Sequence, residues 1–248
     1  GCDTMTLGRR LAGGDDRAVS DTISFVLVFG LVITGVGLVS VFGMSALTDA
    51  KDGVSAEAAE RGFVTLATDI DDLETAQSPV RTSELSLTDA EMAVTGGPTV
   101  DVAVGNTSFA ETLQLGALEY RTAATTVSYA GGGVFRTQAG GTVVVSPPSV
   151  RCTPAYATLS LVRLTVDGSN AVGGGTTAVA VTRSETTLVF PETRTAQHVT
   201  NVSVTTSDPR WRQYFASQSG WASTGPDTST CTTDRVYVRT TTVSVDLE

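Results

Sequence analysis

Few side chains in this sequence could support catalysis. His198 is the only histidine, and the chain has no Gly-x-Ser-x-Gly segment of the kind that presents a catalytic serine in many hydrolases. A Ser-His-Asp triad requires a histidine that a carboxylate orients towards an activated serine, and only the bare residue types are present. We therefore predict that His198 is not catalytic and that the protein is not an enzyme.

Metal and cofactor sites also lack their sequence patterns. The glycine triplets at 131–133 and 173–175 are not followed by the Lys-Ser/Thr of a phosphate-binding loop, so they indicate hairpin turns. One histidine and two distant cysteines cannot form a usual zinc site. Asp69, Asp71 and Asp72 do not have the spacing of an EF-hand and indicate a solvated acidic face. No pair of carboxylates suited to glycoside hydrolysis stands out. The sequence predicts no cofactor and no metal.

Cys152 and Cys231 both follow the apolar segment described below, whereas Cys2 precedes it. If the later part of the chain is exported, the two cysteines can form a disulfide. In the chain-entropy model such a bond, closing a loop of about 80 residues, adds about 4 kcal/mol to stability. Two buried free thiols are the alternative.

Two Asn-x-Ser/Thr sequences could accept an N-linked glycan. They begin at Asn106 and Asn201, and both lie after the apolar segment. In a threonine-rich chain such sequences also arise by chance, so chance occurrence is the alternative at each position.

Residues 23–47 form a run of 25 residues without a charge. As a helix this run spans roughly 37 Å, which exceeds the roughly 30 Å of a bilayer core. Arg9, Arg10 and Arg17 precede it and predict a cytoplasmic N-terminus with the later domain outside the cell. A cleaved signal peptide is the alternative, but its apolar core is about half as long, at 7–15 residues. We expect the helix to stay in the membrane.

Glycines interrupt the apolar run, and they could form a helix-packing face or simply be tolerated within a membrane.

The chain as a whole is acidic, with a net charge of −10, and Lys51 is its only lysine. This balance argues against nucleic acid as a partner. Lysine scarcity combined with abundant acidic residues is typical of proteins from salt-loving archaea, although a high-GC codon bias also replaces lysine with arginine.

The segment Asp16-Arg17-Ala18-Val19-Ser20-Asp21-Thr22-Ile23, followed by an apolar helix, resembles the N-termini of haloarchaeal type IV pilin-like proteins. The resemblance continues through 59–63 and more weakly to the Trp211–Trp221 region. It implies that a prepilin-type peptidase removes a leader near Arg17, with Asp16 to Ser20 as the processing motif. It also implies self-association, or association with other pilin-like subunits, through residues 23–47. Better-known haloarchaeal pilins have Pro and Gly after the serine, and this difference bears on filament assembly more than on export.

The predicted fold class is α+β. We expect a leader at 1–17, whose natural start is Met5, a transmembrane helix at 18–48 and an acidic amphipathic stalk helix at 49–78 that ends at Ser78-Pro79. Period-two apolar runs with glycine-rich turns predict an all-β domain over 83–248, either sandwich-like or an elaborated meander.

Two details of that β domain are predicted. Asp208-Pro209 and Gly220 bracket a short helix near 208–219, whose aromatic side chains we assign to the core. The apolar pattern changes parity between Val238 and Val243, which predicts a bulge or turn near 240–242.

Together these features predict a non-enzymatic cell-surface structural protein, anchored in the lipid bilayer and pilin-like, with an extracellular C-terminal domain. The alternatives are a lone anchored adhesin or ligand-binding ectodomain and, beyond these, a tethered hydrolase.

Overall fold

The computed structural model describes residues 16–75, 80–87, 90–191 and 199–248. The chain divides into two compact units, residues 1–51 and residues 52–248. An N-terminal apolar helix is followed by a mostly β domain, which confirms the α+β class. Residues 1–15 of the predicted leader, the helix end at Ser78-Pro79 and His198 lie outside the described residues.

Helix α1 runs from Asp16 to Thr75. Within the first unit, Ile23–Phe42 has a mean hydropathy of 2.6, and every residue of this segment is exposed. Long aliphatic and aromatic side chains are common here, and no Pro interrupts the backbone hydrogen bonds. By length and composition this segment could cross a membrane.

The later part of α1 is amphipathic. Its buried residues recur at intervals of three and four and so form one face of the helix: Ala56, Ala59, Phe63, Leu66, Ala67, Ile70 and Leu73. Val64, Thr65 and Thr68 lie between them and face solvent. The buried face joins a core that strands from two sheets complete. This part of α1 is therefore an integral element of the second unit.

Three polar contacts fix α1 to the strands around it. Arg136 donates from Nη1 to Glu60 Oε1 at 2.6 Å, and Ser83 donates from Oγ to Asp69 Oδ2 at 2.9 Å. The Arg183 guanidinium donates to the backbone carbonyl of Leu73, one of the last carbonyls of the helix, which have no partner within it. Each contact supplements the apolar burial at a different turn of α1.

The second unit contains sixteen strands within the described residues, and they form three sheets. The strands are β1 Val80–Ser86, β2 Glu91–Thr95, β3 Thr99–Val104, β4 Ala110–Gln114, β5 Ala117–Arg121, β6 Thr125–Ala130, β7 Gly133–Gln138, β8 Gly141–Ser146, β9 Val150–Cys152, β10 Ala157–Val166, β11 Ala171–Gly173, β12 Thr176–Phe190, β13 Asn201–Thr205, β14 Ala222–Ser223, β15 Thr228–Thr232 and β16 Val236–Leu247.

Sheet A has the order β1-β12-β16-β10-β9, sheet B has β11-β2-β5-β6-β7-β8 and sheet C has β14-β15-β13-β3-β4. The predicted sandwich has two sheets, so the third sheet is a correction. Alternating apolar residues show that a strand is half-buried, but they do not show which strands it pairs with. All pairings are antiparallel except that of β10 with β16.

Sheet A contributes to two apolar cores through opposite faces. Leu159 and Leu161 of β10 belong to the core around the second helix, whereas Val162 and Leu164 belong to the core around α1. Adjacent strand residues point to opposite faces, so one face is buried along the first half of the strand and the other face along the second half. Strand β16 makes the same change, and both Thr240 and Thr241 at the crossover are buried.

This change of buried face explains the parity switch in the sequence and corrects the predicted bulge or turn near 240–242. Strand β16 is continuous from Val236 to Leu247 and pairs regularly with β10. The irregularity lies in the neighbouring strand β12, where Arg183 pairs with Val243 and Glu185 pairs with Thr242. The sequence pattern marks the right position, but the register shift is accommodated by the partner strand.

Helix α2 runs from Pro209 to Ser217. The Asp208 side chain accepts hydrogen bonds from the backbone N–H groups of Arg210 and Trp211, which the helix itself leaves without a partner. Pro209 occupies the first turn, where a missing N–H costs nothing. Trp211, Tyr214 and Phe215 are buried, as expected for core aromatics.

The amphipathic part of α1 should be essential for the stability of the β domain. Phe63 is fully buried, so we expect Phe63→Ala to lower the free energy of unfolding by about 3–5 kcal/mol. The adjacent Val64 is 36% exposed and provides the matched control, for which Val64→Ala should cost about 1 kcal/mol or less. Denaturant unfolding of the full chain in detergent, followed by the fluorescence of Trp211 and Trp221, measures both. Equal effects would show that α1 is not part of the core.

Candidate functional site

The apolar segment of α1 is the most unusual surface of the chain. Phe25 is 68% exposed and Leu31 is 75% exposed, and the other large side chains of Ile23–Phe42 are at least half exposed. A continuous apolar surface of this size marks a place that lipid or another protein covers. Burial inside the described fold does not account for its composition, because none of the segment is buried. A membrane anchor and a signal sequence both fit the segment.

The predicted processing motif precedes this surface. Asp16, Arg17, Ala18, Val19 and Ser20 form the first turns of α1.

The predicted acidic face lies near the C-terminal end of α1. Asp69 accepts the hydrogen bond from Ser83, and Asp71 and Asp72 lie on the exposed side of α1. Among the described residues, no group of three or more His, Cys, Asp or Glu side chains could hold a metal ion.

Cys152 and Cys231 form a disulfide, with their Cα atoms 5.9 Å apart. Cys152 ends β9 in sheet A and Cys231 lies in β15 of sheet C, so the bond joins two sheets around the same core. The neighbouring Gly220 lies so close that an added Cβ would be 2.8 Å from the Cys152 carbonyl oxygen. Only glycine therefore fits where the chain leaves α2 and passes the disulfide.

An aromatic cluster fills the space between α2 and the disulfide. Phe215 and Trp221 have ring centroids 4.7 Å apart, and Tyr214 and Phe215 have centroids 5.2 Å apart. The Tyr214 hydroxyl donates to the carbonyl oxygen of Val150 at 2.9 Å. Because burial disfavours the charged phenolate, the pKa of Tyr214 is raised to about 12.

A sheltered charge network joins α2 to sheet B. Arg210 donates to Asp208 Oδ2 at 2.8 Å and to Glu119 Oε1 at 3.0 Å, and Glu119 also pairs with Arg121. Burial lowers the pKa of Arg210, but hydrogen bonds and the charges of Asp208 and Glu119 outweigh it, so the pKa lies above its ordinary value. Sequence reasoning found the Asp208 cap but missed Glu119, because no pattern in β5 distinguishes it from a solvent-facing glutamate.

Two clefts flank α2. The first has a volume of about 620 Å³ and contains the ion pair between Arg212 and Asp227 at 2.9 Å, beside Phe215 and Trp221. The second has a volume of about 680 Å³ and is lined by Arg151, Arg239 and several hydroxyl groups. Asp227 is the only carboxylate that lines either cleft within the described residues. Glycoside hydrolysis normally requires two carboxyl groups facing the scissile bond, and these clefts do not provide them.

The two predicted glycosylation sequences lie side by side. Asn106 is exposed in the turn between β3 and β4, whereas Asn201 is half-buried at the start of β13. The backbone N–H of Gly105 donates to the carbonyl oxygen of Asn201 at 2.9 Å. Sequence spacing gives no indication of this proximity, because it depends on the pairing of β3 with β13.

Burial of Tyr214 should make stability depend on alkaline pH. Below its ordinary pKa of 10.0, the Tyr214 hydroxyl is protonated in both the folded and the unfolded chain. Its contribution to the free energy of unfolding is fully present in that range. As the pH rises from 10 through the folded-state pKa of about 12, only the unfolded chain deprotonates readily, so the contribution is lost. We expect Tyr214→Phe to flatten the decline of unfolding free energy over this range. Tyr237→Phe, which alters a tyrosine that is 42% exposed, should not flatten it.

Comparison with known proteins identifies a family. No curated protein and no solved structure matches the chain. A model described as a family of unknown function, DUF7289, matches residues 17–246 and so includes the apolar segment, both helices and all three sheets. Since this match covers almost the whole sequence, the chain belongs to the DUF7289 family of unknown function.

Proposed function

We propose that this protein is a non-enzymatic, membrane-anchored structural protein of the cell surface, either a pilin-like subunit or an accessory pilin. The observation that carries the proposal is the composition of α1. The helix is apolar and exposed over Ile23–Phe42, and its later turns form part of the core of the β domain. A cleaved signal sequence does not need to continue into a folded core, whereas an anchor that remains attached to its domain benefits from doing so.

The family match adds support for a retained helix. It begins at Arg17 and extends through the apolar segment, so this segment belongs to the region that members of the family share. On this proposal, a prepilin-type peptidase cuts the leader near Arg17. The apolar face of residues 23–47 then contacts lipid or the equivalent helices of other pilin-like subunits.

An extracellular location for the β domain rests on two features. Arg9, Arg10 and Arg17 precede the apolar segment, and positive charge favours the cytoplasmic side of a membrane. The disulfide between Cys152 and Cys231 fits an oxidising compartment, because reducing systems keep cytosolic thiols free.

The acidic surface and scarcity of lysine support a salt-loving archaeal source.

A lone anchored adhesin or ligand-binding ectodomain is the second candidate. The two clefts beside α2 favour it, because a binding site requires a concave surface with a few polar groups, and the Arg212–Asp227 pair lies in one of them. A tethered hydrolase has less support because the clefts supply one carboxylate, and the position of His198 lies outside the described residues.

Leader processing is the decisive test. We expect the mature full-length protein, recovered from its own host, to begin near Ala18 and to occur in the fraction sheared from the cell surface. Intact-mass and N-terminal analysis of the membrane and sheared fractions would measure this. Arg17→Ala, next to the expected cut, should leave the leader in place, and Arg10→Ala is the matched control that should still be processed.

The other outcomes separate the alternatives. A processed protein found only in membranes would favour the lone anchor over the subunit. An uncut leader in the unmodified protein would contradict the pilin-like proposal and leave a domain anchored by an unprocessed signal segment.

A further inference from the structure

We infer that Asn106 is the asparagine of this chain that carries an N-linked glycan, and that Asn201 stays unmodified in the folded protein. The inference rests on the proposed extracellular location of the β domain. The sequence offers both residues equally, since each begins an Asn-x-Ser sequence. The fold distinguishes them.

Asn106 lies at the tip of a hairpin. The backbone N–H of Thr107 donates to the Val104 carbonyl at 3.3 Å and closes a four-residue turn whose third residue, Asn106, has a φ of 65°. Turns of this kind favour Gly or Asn at that position. Both Asn106 and Ser108, the two residues that the modifying enzyme must recognise, are exposed.

The second sequence lies within a sheet. Strand β13 pairs with β15 on one side and with β3 on the other, so its backbone is engaged along both edges. The Asn201 amide lies against Gly105, where an added Cβ would be 2.7 Å from its oxygen and nitrogen atoms. Its Nδ2 donates to Thr200 at 3.2 Å, and the Ser203 hydroxyl donates to the Ala103 carbonyl at 3.4 Å. Both residues are half-buried, and both groups already make hydrogen bonds to neighbouring residues.

The modification requires a sugar activated as a lipid-linked phosphate ester. The Nδ2 atom of Asn106 attacks the anomeric carbon, forming the new N–C bond while the C–O bond to phosphate breaks. Phosphate leaves with the electron pair, and the amide loses one proton to the transferase. No oxidation or reduction takes place.

The position of Asn106 gives the glycan a physical role. Among the described strands, β4 is an edge of sheet C, and all of its residues except Leu113 are exposed. An unpaired edge can pair with a strand from another molecule. A bulky hydrophilic group at the β3–β4 turn would hinder that pairing in molecules crowded on a surface.

The test compares two serine variants of the full chain, produced in its own host and analysed by intact mass and glycopeptide mapping. Ser108→Ala removes the Asn106 acceptor sequence while keeping the asparagine that the turn favours. Ser203→Ala is the matched change at the second sequence. We expect complete loss of glycan mass in Ser108→Ala and no change in Ser203→Ala. Glycan retained by Ser108→Ala, or lost in Ser203→Ala, would overturn the assignment.

A third variant separates this inference from the proposed location. Gly140→Asn creates an Asn-Gly-Thr sequence in the exposed turn between β7 and β8, where an added Cβ meets nothing within 4 Å. If this sequence is glycosylated and Asn106 is not, the inference fails while the extracellular location stands. If neither is glycosylated, the inference fails, and proteolysis of intact cells then decides the location. Cleavage of the β domain would support an exterior position, and its protection would contradict the proposed function.

Discussion

Burial of one face of α1 is the interaction on which the β domain depends. Phe63, Leu66, Ile70 and Leu73 fill a core that sheets A and B line with their own apolar side chains. Each fully buried side chain of this size contributes about 1.5–3 kcal/mol relative to an exposed one. The net stability of a whole domain is no larger than the sum of a few such contributions. The strands of sheets A and B therefore stay folded only while the helix packs against them. We therefore expect removal of the buried turns of α1, between Ala56 and Leu73, to unfold the domain.

Sheet A links the core around α1 to the core around α2. Its strands β10 and β16 bury one face in the α2 core and the opposite face in the α1 core. The disulfide joins its edge strand β9 to sheet C, and Arg210 joins α2 to sheet B through Glu119. Loss of either core exposes apolar residues on the same strands, so the two cores are expected to unfold together.

The sequence supplied the features that depend on local patterns. A run of 25 uncharged residues defines the apolar segment, the spacing of Phe63, Leu66 and Ile70 defines the helical face, and Asp208-Pro209 marks the start of α2. It could not supply features that depend on strand pairing. The third sheet, the register shift in β12 and the proximity of Asn106 to Asn201 all result from contacts between distant segments. Alternating apolar residues fix which side of a strand is buried, but not its neighbours.

Sheltered ion pairs and apolar burial hold α1 and α2 against the sheets, although the chain is acidic. With a net charge of −10, exposed carboxylates repel one another, and at 0.1 M salt the interactions between exposed charges more than about 10 Å apart are largely screened. The pair that joins α2 to sheet B is sheltered, since the side chains of Arg210 and Glu119 are only 13% and 10% exposed. Apolar burial supplies the rest of the stabilisation between the helices and the sheets, and it does not weaken when salt screens charges more strongly. Attachment of α1 and α2 to the sheets should therefore be largely independent of ionic strength.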